Sequence, residues 1–227
     1  MGTIVEVRNL HYSYEDGTVA LQGIDFDLDH GTTVALLGAN GSGKTTFVHH
    51  LNGILRGSGS VVIDGLPVTE ANLREIRKRV GLVFQDSDNQ LFMPSVLEDV
   101  AFGPLAAGIP SAEAEERARA ALDRVGLLAK ANKSPWQLSA GEKKRAAIAG
   151  ILTMEAKLLV LDEPTTFLDP PGQRSLAALL TTLPQAKILV THDTVFARRL
   201  TDEAVFFEDG TITARGPVSE IARRFGW

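Results

Sequence analysis

The chain contains no cysteine, few aromatic residues and no long hydrophobic run. None of its 227 residues is Cys, and only two are Trp and two Tyr. Disulfide bonds, thiolate metal sites and thiol catalysis are therefore excluded, and the composition fits a reducing compartment. No apolar stretch approaches the roughly 18 residues typical of a membrane-spanning helix. The first residues lack the basic and apolar regions of a signal peptide, so we expect a cytosolic location.

Positive charge is also in short supply. The sequence has 23 Lys and Arg against 28 Asp and Glu, a formal net charge of −5. No general basic field attracts nucleic acid, and we expect no nucleic-acid partner. The hydrophobic fraction of 44% is ample for a buried core. The length predicts one large domain, or one domain with an insertion.

A glycine-rich segment is the most informative feature present. Residues Gly38-Ala39-Asn40-Gly41-Ser42-Gly43-Lys44-Thr45-Thr46 fit the pattern G-x-x-x-x-G-K-[ST] in full. An apolar run at 33–37 predicts a buried strand before the segment, and residues from Lys44 to about Leu55 predict a helix after it. Backbone N–H groups in such a loop converge on a phosphate. We predict that Lys44 reaches the β- and γ-phosphates and that Thr45 holds Mg²⁺.

A second motif lies far along the chain. Residues 158–161 form an apolar run that predicts a strand, and the acids Asp162 and Glu163 follow it directly. Successive side chains on an extended segment diverge, so the two carboxylates need not share a role. Asp162 can coordinate Mg²⁺, and Glu163 can polarise the water that attacks the γ-phosphate. The alternative, a solvated strand end before Pro164, is disfavoured by Lys44 and Thr45 upstream.

The predicted secondary structure divides the chain into β-rich and helical regions. Short β-rich runs alternate with turns up to about Asp64, the sequence is helical from about Pro94 to Thr153, and strand character returns at 158–161 and 187–191. Ser111 is expected to cap a helix that Gly126 closes. The pattern predicts a phosphate-binding α/β core interrupted by a helical insertion.

These motifs carry a family resemblance. Besides the glycine-rich loop and the acidic strand end, five features occur in the order typical of ATP-binding cassette (ABC) ATPases: Tyr14, Gln85 after Val83-Phe84, Leu138-Ser139-Ala140-Gly141-Glu142, Leu168-Asp169, and His192 after Val190-Thr191. The resemblance covers essentially the whole chain. It implies a P-loop NTPase (RecA-like) core with an N-terminal antiparallel β subdomain and an α-helical subdomain inserted at about 88–155, all within a single domain, 1–227.

The resemblance also implies roles for these residues. Tyr14 would stack on adenine, and Gly38, Asn40, Gly41, Ser42, Gly43, Lys44, Thr45 and Thr46 would bind ATP. Thr45, Asp162 and Gln85 would hold Mg²⁺, while Glu163, His192 and Gln85 would serve catalysis. Ser139, Gly141 and Asp169 would reach the ATP of a second ATPase subunit, so that two chains sandwich each nucleotide. A homodimer follows most simply, because one chain has every motif, and a heterodimer stays open.

A narrower resemblance points to the ATPase of energy-coupling-factor importers, which take up cobalt, nickel or vitamins such as biotin. It lies in residues 84–92, 98–104 and 143–150. It implies an integral-membrane coupling subunit, a substrate-binding membrane subunit and a peripheral position on the cytoplasmic side of the cell membrane. Few residues follow Gly210, so we expect the C-terminal extension of many relatives to be absent or vestigial. The alternative is a non-transport ABC ATPase in nucleic-acid or ribosome-associated work, which the single core and acidic charge disfavour.

Several residues also have structural interpretations. Ser139 and Glu142 fit a capping box that opens a helix through about Thr153. His49 and His50 are adjacent on the predicted helix, where neighbours diverge, so a shared metal is not expected. Trp136 is expected to pack the loop before Ser139. The acids Asp86, Asp88, Glu98 and Asp99 could hold a cation, but a solvated face or a contact with the membrane partner is favoured.

Overall fold

The computed structural model describes residues 2–227. These residues form two compact units. The first takes in the residues up to Leu82, Lys157–Glu163 and Pro184–Trp227, and the second takes in Val83–Ala156 and Pro164–Leu183.

Strands and helices alternate along most of the chain. The strands are β1 (Thr3–Ser13), β2 (Val19–Asp29), β3 (Thr33–Leu37), β4 (Ser58–Ile63), β5 (Leu66–Pro67), β6 (Val80–Val83), β7 (Leu158–Asp162), β8 (Ala186–Val190), β9 (Glu203–Glu208) and β10 (Thr211–Pro217). The helices are α1 (Lys44–Leu51), α2 (Leu73–Arg79), α3 (Val96–Ala106), α4 (Ser111–Arg124), α5 (Ala140–Leu152), α6 (Pro170–Thr182), α7 (Thr194–Ala197) and α8 (Val218–Phe225).

The strands form two sheets of different character. A four-stranded sheet has the order β2-β1-β4-β5, and all its pairs are antiparallel. A six-stranded sheet has the order β10-β9-β3-β8-β7-β6, in which β3 pairs in parallel with both β8 and β9, and β7 pairs in parallel with β8. In such sheets ligands bind beyond the carboxyl ends of the strands. The loop after β3 and the acidic end of β7 both lie at that edge.

The central strands and helix α1 of the first unit are held by buried packing. Strands β7 and β8 are buried at every position, as expected for parallel strands covered on both faces. Phe47 of α1 packs edge-on against Phe26 of β2, with ring centroids 5.2 Å apart, and tilted against Phe207 of β9 at 5.4 Å. These three rings fix α1 between strands, and α1 begins directly after the glycine-rich loop.

The second unit is mainly helical. Helices α3, α4 and α5 pack on one another, and α4 presents a buried stripe of Ala114, Ala118, Ala121 and Leu122. Small side chains at helical spacing let neighbouring helices approach closely. Pro104 lies inside α3 and cannot donate to the carbonyl of Val100. That carbonyl instead accepts a hydrogen bond from Thr153 Oγ1 at 3.3 Å.

Local details depart from the sequence predictions in three places. Helix α1 ends at Leu51, before the predicted Leu55, because Gly53 turns the chain with a φ of 70°. Ser111 is already helical and does not cap α4, since the carbonyl of Pro110 accepts the first helical bond from Ala114 N–H at 2.9 Å. Trp136 is 72% exposed, so it does not pack the loop as expected.

Within residues 2–227 every helix is too short or too polar to cross a bilayer.

Candidate functional site

The glycine-rich loop is shaped by two glycines that no other residue could replace without strain. Gly38 has a φ of 137°, and a Cβ there would lie 2.2 Å from the carbonyl oxygen of Phe207. Gly43 has a φ of 103°, and a Cβ there would lie 2.6 Å from the carbonyl oxygen of Ala20. The loop is therefore pressed against the backbone of neighbouring strands. Its N–H groups lead into the N-terminus of α1, a geometry that suits an anion.

Lys44 is held against the loop that precedes it. Its Nζ donates to the carbonyl of Gly38 at 2.7 Å, to that of Ala39 at 2.8 Å and to Ser42 Oγ at 3.2 Å. Burial lowers the pKa of the Lys44 ammonium, and the nearby carboxylates of Glu163 and Asp162 offset part of that effect. A buried cation among carbonyl dipoles and N–H groups is a strong partner for phosphate oxygens.

Thr45 and Asp162 meet although they are far apart in sequence. Thr45 Oγ1 donates a hydrogen bond to Asp162 Oδ2 at 3.0 Å. Asp162 is the last residue of β7 and Thr45 is in the first turn of α1, so the parallel sheet brings the two motifs to one edge. A hydroxyl and a carboxylate are oxygen donors of the kind that Mg²⁺ takes up together with substrate phosphates.

Glu163 and His192 form a pair beside this site. His192 Nδ1 lies 3.0 Å from Glu163 Oε2, without the alignment of a hydrogen bond. Glu163 is buried and has a φ of 43°, in the left-handed region, which costs a non-glycine residue about 1 kcal/mol or more. The backbone bond from Glu163 N–H to the carbonyl of Val190, at 2.9 Å, fixes this conformation. Such strain is typical of residues that a functional site holds in position.

Tyr14 lies at the end of β1 with its ring partly exposed. Its hydroxyl is hydrogen-bonded to Thr46 Oγ1 at 2.8 Å. The ring is therefore fixed to the first turn of α1, next to the glycine-rich loop. Reasoning from the sequence did not connect Thr46 with Tyr14, because the contact depends on how β1 packs beside α1.

The other site residues lie in the second unit. Ser139 caps α5: its Oγ accepts from Glu142 N–H at 3.4 Å, and Ser139 N–H donates to Glu142 Oε2 at 3.1 Å. The predicted capping box is therefore confirmed. Lys130 also pairs with Glu142 and is the main cause that lowers the pKa of this carboxyl. Gly141 contributes a first-turn N–H, which has no acceptor within the helix.

Asp169 caps the next helix of the second unit. Its Oδ1 accepts a hydrogen bond from Gly172 N–H at 2.8 Å, at the start of α6. Phe167, two residues earlier, is 77% exposed and has a φ of 66°. An aromatic residue in the left-handed region and in solvent gains little from packing within its own chain. This segment therefore offers both a carboxylate and a ring to the outside.

Gln85 is exposed, and α5 holds its backbone. Lys144 Nζ donates to the carbonyls of Phe84 at 2.8 Å and Gln85 at 2.5 Å, and the Lys144 side chain is buried. The neighbouring Lys143 pairs with Asp88 at 2.5 Å. The two lysines thus join the segment around Gln85 to the helix that Ser139 caps. The sequence carried only a weak signal for this link, two adjacent lysines after the motif.

The acids near Gln85 have partners within the unit. Asp88 pairs with Lys143, Glu98 completes a capping box with Ser95 at the start of α3, and Asp99 Oδ1 accepts from the N–H of Phe92 at 3.0 Å. Burial raises the pKa of Asp99. Residues 2–227 contain no group of three or more His, Cys, Asp or Glu that could hold a metal ion.

Comparison with known proteins finds similar sequences along almost the whole chain. A sequence model of the family described as ABC transporter matches residues 21–166. The energy-coupling factor transporter ATP-binding protein EcfA of Methanosphaera stadtmanae is 48% identical over 97% of this chain and 82% of its own length.

Two solved structures share the fold. The protein cbiO1 from Clostridium perfringens, described as part of the ABC transporter complex cbiONQ, has a TM-score of 0.89 and 38% identity and covers 99% of this chain and 92% of its own. The ATP-binding cassette MJ0796, described as a dimeric post-hydrolysis state bound to ADP and Pi, has a TM-score of 0.84 and 27% identity and covers 95% and 99%. The predicted fold class and family resemblance are confirmed.

Proposed function

The chain belongs to the ABC transporter family as an ATP-hydrolysing subunit, and from this premise we propose that it powers an energy-coupling-factor type importer. The observation that carries the proposal is the cluster of Lys44, Thr45, Asp162, Glu163 and His192 at one sheet edge. The similarity of the chain to EcfA supports the importer type. We propose a transition metal ion such as cobalt or nickel, or a vitamin such as biotin, as the cargo.

Hydrolysis requires positioning and charge stabilisation more than covalent chemistry. Lys44 and the loop N–H groups would hold the β- and γ-phosphates. Thr45 and Asp162, with Gln85, would hold Mg²⁺, which neutralises developing phosphate charge when bound. The pair of oxygen donors 3.0 Å apart fits that ion. Glu163 would orient the attacking water, and His192 would steady both Glu163 and the γ-phosphate.

We also propose that two copies act together. Ser139, Gly141 and Asp169 would contact the ATP held by the other copy, giving two equivalent sites related by a two-fold axis. ATP would favour the closed pair because it binds that state better, and loss of the γ-phosphate would release it. The exposed Phe167 beside Asp169 and the dimeric state in the description of MJ0796 support this assignment.

A membrane-embedded coupling subunit would bind the second unit on the exposed side of α3. Phe92 and Phe102 pack edge to face with centroids 5.1 Å apart, and both rings are exposed together with Leu105. Exposed apolar clusters of this kind mark interaction sites. Through that subunit and a substrate-binding membrane subunit, the chain would lie on the cytoplasmic side of the cell membrane. Asp88 and Glu98 have intramolecular partners, so charge reversal there would not isolate a partner contact.

Phe102 gives the cleaner test of the partner surface. Phe102 and Leu128 are exposed to similar extents, 41% and 40%, but Leu128 lies in the short turn after α4 and not on α3. Phe102→Ser should reduce co-purification with the membrane subunits while the ATPase rate of the isolated chain stays within about twofold of wild type. Leu128→Ser should leave assembly unchanged. Normal assembly of the Phe102 variant would remove this surface from the proposal.

Glu163→Gln tests the hydrolytic role. The variant should lose ATP hydrolysis by about 100-fold or more, the contribution of a positioned general base, yet still bind ATP and accumulate as a closed dimer. Glu155→Gln is a matched control, because Glu155 is also a non-glycine residue with positive φ, 57°, but lies in the second unit. A Glu163 variant that hydrolyses ATP at the wild-type rate would refute the assignment.

A further inference from the structure

His50 is a buried histidine that the proposed hydrolysis does not use. It lies near the end of α1, and only 1% of its surface is exposed. Its Nδ1 lies 2.8 Å from the backbone carbonyl of Thr46, one helical turn earlier. A carbonyl can only accept, so Nδ1 donates. Burial lowers the pKa of the imidazole, which keeps the ring neutral.

His50 and three other residues form a closed cycle of contacts. The His50 ring meets the Tyr12 ring edge-on, with centroids 4.9 Å apart and planes at 75°. Tyr12 meets Tyr14 in the same manner, at 5.1 Å and 84°. The Tyr14 hydroxyl is hydrogen-bonded to Thr46 Oγ1, and the Thr46 carbonyl accepts from His50. Each of the three side-chain rings, those of His50, Tyr12 and Tyr14, therefore contacts two other members of the cycle.

The network restrains the orientation of Tyr14. Its hydroxyl end is fixed to Thr46, and its ring is braced by Tyr12, whose ring also contacts that of His50. Without His50, Tyr12 loses the support that α1 gives its ring, and it braces the Tyr14 ring less firmly. Fixing a binding ring in its bound orientation before the ligand arrives raises affinity, because less freedom is lost on binding.

We propose that His50 is a positioning residue that holds Tyr14 ready to stack on the adenine base, so that it sets the contribution of the base, and not of the triphosphate, to ATP affinity. The proposal rests on the role proposed for Tyr14 and extends it to a residue that touches no part of the nucleotide. The Nε2 atom has no hydrogen-bond partner within residues 2–227. The contribution of His50 therefore comes from Nδ1 and the ring.

Base and triphosphate contributions can be separated by using two ligands. Mg·ATP reports on both, and Mg·tripolyphosphate reports on the loop alone. His50→Gln removes the ring and so breaks the contact with Tyr12. It should weaken ATP binding roughly three- to tenfold, part of what an aromatic platform contributes to a stacked base, and change tripolyphosphate binding less than twofold. His49→Gln, the same change at the neighbouring position of α1, should alter neither.

A spectroscopic readout follows from the composition. Tyr12 and Tyr14 are the only tyrosines in the chain. Fluorotyrosine labelling therefore gives ¹⁹F signals from this network alone. His50→Gln should shift or broaden the Tyr14 signal in the absence of nucleotide, as expected for a ring with more freedom, whereas His49→Gln should not.

The outcomes are distinct. Equal loss of ATP and tripolyphosphate affinity in His50→Gln would mean that His50 only supports α1, and it would overturn the proposal. Unchanged ATP affinity would overturn it as well. If the variant does not fold, Tyr12→Leu breaks the same contact from β1 and is subject to the same criteria. Tyr14→Ala separates the two levels: if it leaves ATP affinity intact, the role of Tyr14 fails, and if it alone weakens ATP binding, only the role of His50 fails.

Discussion

The candidate site residues of the two units differ in how far they are exposed to solvent. In the first unit, Lys44, Asp162 and Glu163 are buried, and the backbone of Glu163 is strained. In the second, Ser139 and Asp169 cap the exposed starts of helices. The first unit resembles a site assembled for a ligand, and the second resembles a surface that serves another molecule. Substitutions at the site residues of the first unit should abolish ATP hydrolysis. Under the two-copy proposal, substitutions in the second unit should impair hydrolysis at the site of the other copy.

The largest effect is expected from the first unit. Lys44→Met removes the buried cation and should reduce ATP hydrolysis by roughly 1,000-fold, because phosphoryl transfer depends on charge stabilisation. The carbonyls of Gly38 and Ala39 lose a donor, but a buried charge is also removed. The free energy of unfolding should therefore change by less than about 2 kcal/mol. Steady-state hydrolysis and denaturant titration measure the two quantities, and an active Lys44 variant would remove this loop from the chemistry.

A smaller effect, and a sharper contrast, is expected in the second unit. Ser139 and Ser95 each cap a helix, and each forms a capping box with a glutamate. Replacing either by alanine should lower the free energy of unfolding by about 1 kcal/mol. Only Ser139→Ala should also reduce ATP hydrolysis, by about tenfold or more, because one hydrogen bond to a charged phosphate is lost.

The Ser95→Ala variant is the control for this contrast. If both alanine variants lose the same stability and hydrolyse ATP equally well, the Ser139 hydroxyl serves α5 alone. Its proposed contact with the other copy would then be wrong.

A third effect concerns pH, leaves the catalytic residues untouched and again lies in the first unit. Burial lowers the pKa of His49 and His50 below the ordinary 6.5, so the unfolded chain takes up protons first as pH falls. Stability should therefore be greatest above about pH 6.5 and decrease below it, by at most about 1.4 kcal/mol per pH unit for each histidine.

The control for the pH prediction is His50→Gln. Arg56 and the hydrophobic residues Leu10 and Leu55 line the small cavity beside His50. When His49 is protonated, its charge also lowers the pKa of His50. Denaturant titrations between pH 5 and 7.5, above the range in which most carboxylates titrate, give the free energy of unfolding as a function of pH. Its slope against pH should be shallower for the variant than for wild type. An equal slope would mean that His50 takes up its proton without unfolding.

Much of the fold could be predicted because its signals are local. The strand at 33–37, the glycine loop and the start of α1 follow from adjacent residues, and so does the capping box at Ser139. Helix ends were less predictable. Helix α1 ends early because of a turn at Gly53, and Pro110 takes the position expected for Ser111. Exposed Trp136 shows that aromatic character alone does not indicate burial.

The site was predictable where motifs carry it and not where packing does. The hydrogen bond between Thr45 and Asp162 joins two motifs that a parallel sheet must bring to one edge. The contacts of Tyr14 with Thr46, and of His50 with Tyr12, depend on how β1 lies beside α1. No sequence spacing encodes that distance. The roles of Gln85, Ser139, Gly141 and Asp169 came from the family resemblance and stay predictions.

Complementation between two inactive chains is the most direct test of the contrast between the units. A Lys44→Met chain keeps its Ser139 motif, and a Ser139→Arg chain, blocked at the start of α5, keeps its loop. If each ATP lies between the loop of one copy and Ser139 of the other, mixed pairs have one intact site of two. An equal mixture should then recover about a quarter of the wild-type sites, because half of random pairs are mixed. A mixture that hydrolyses ATP no faster than the separate variants would contradict the account.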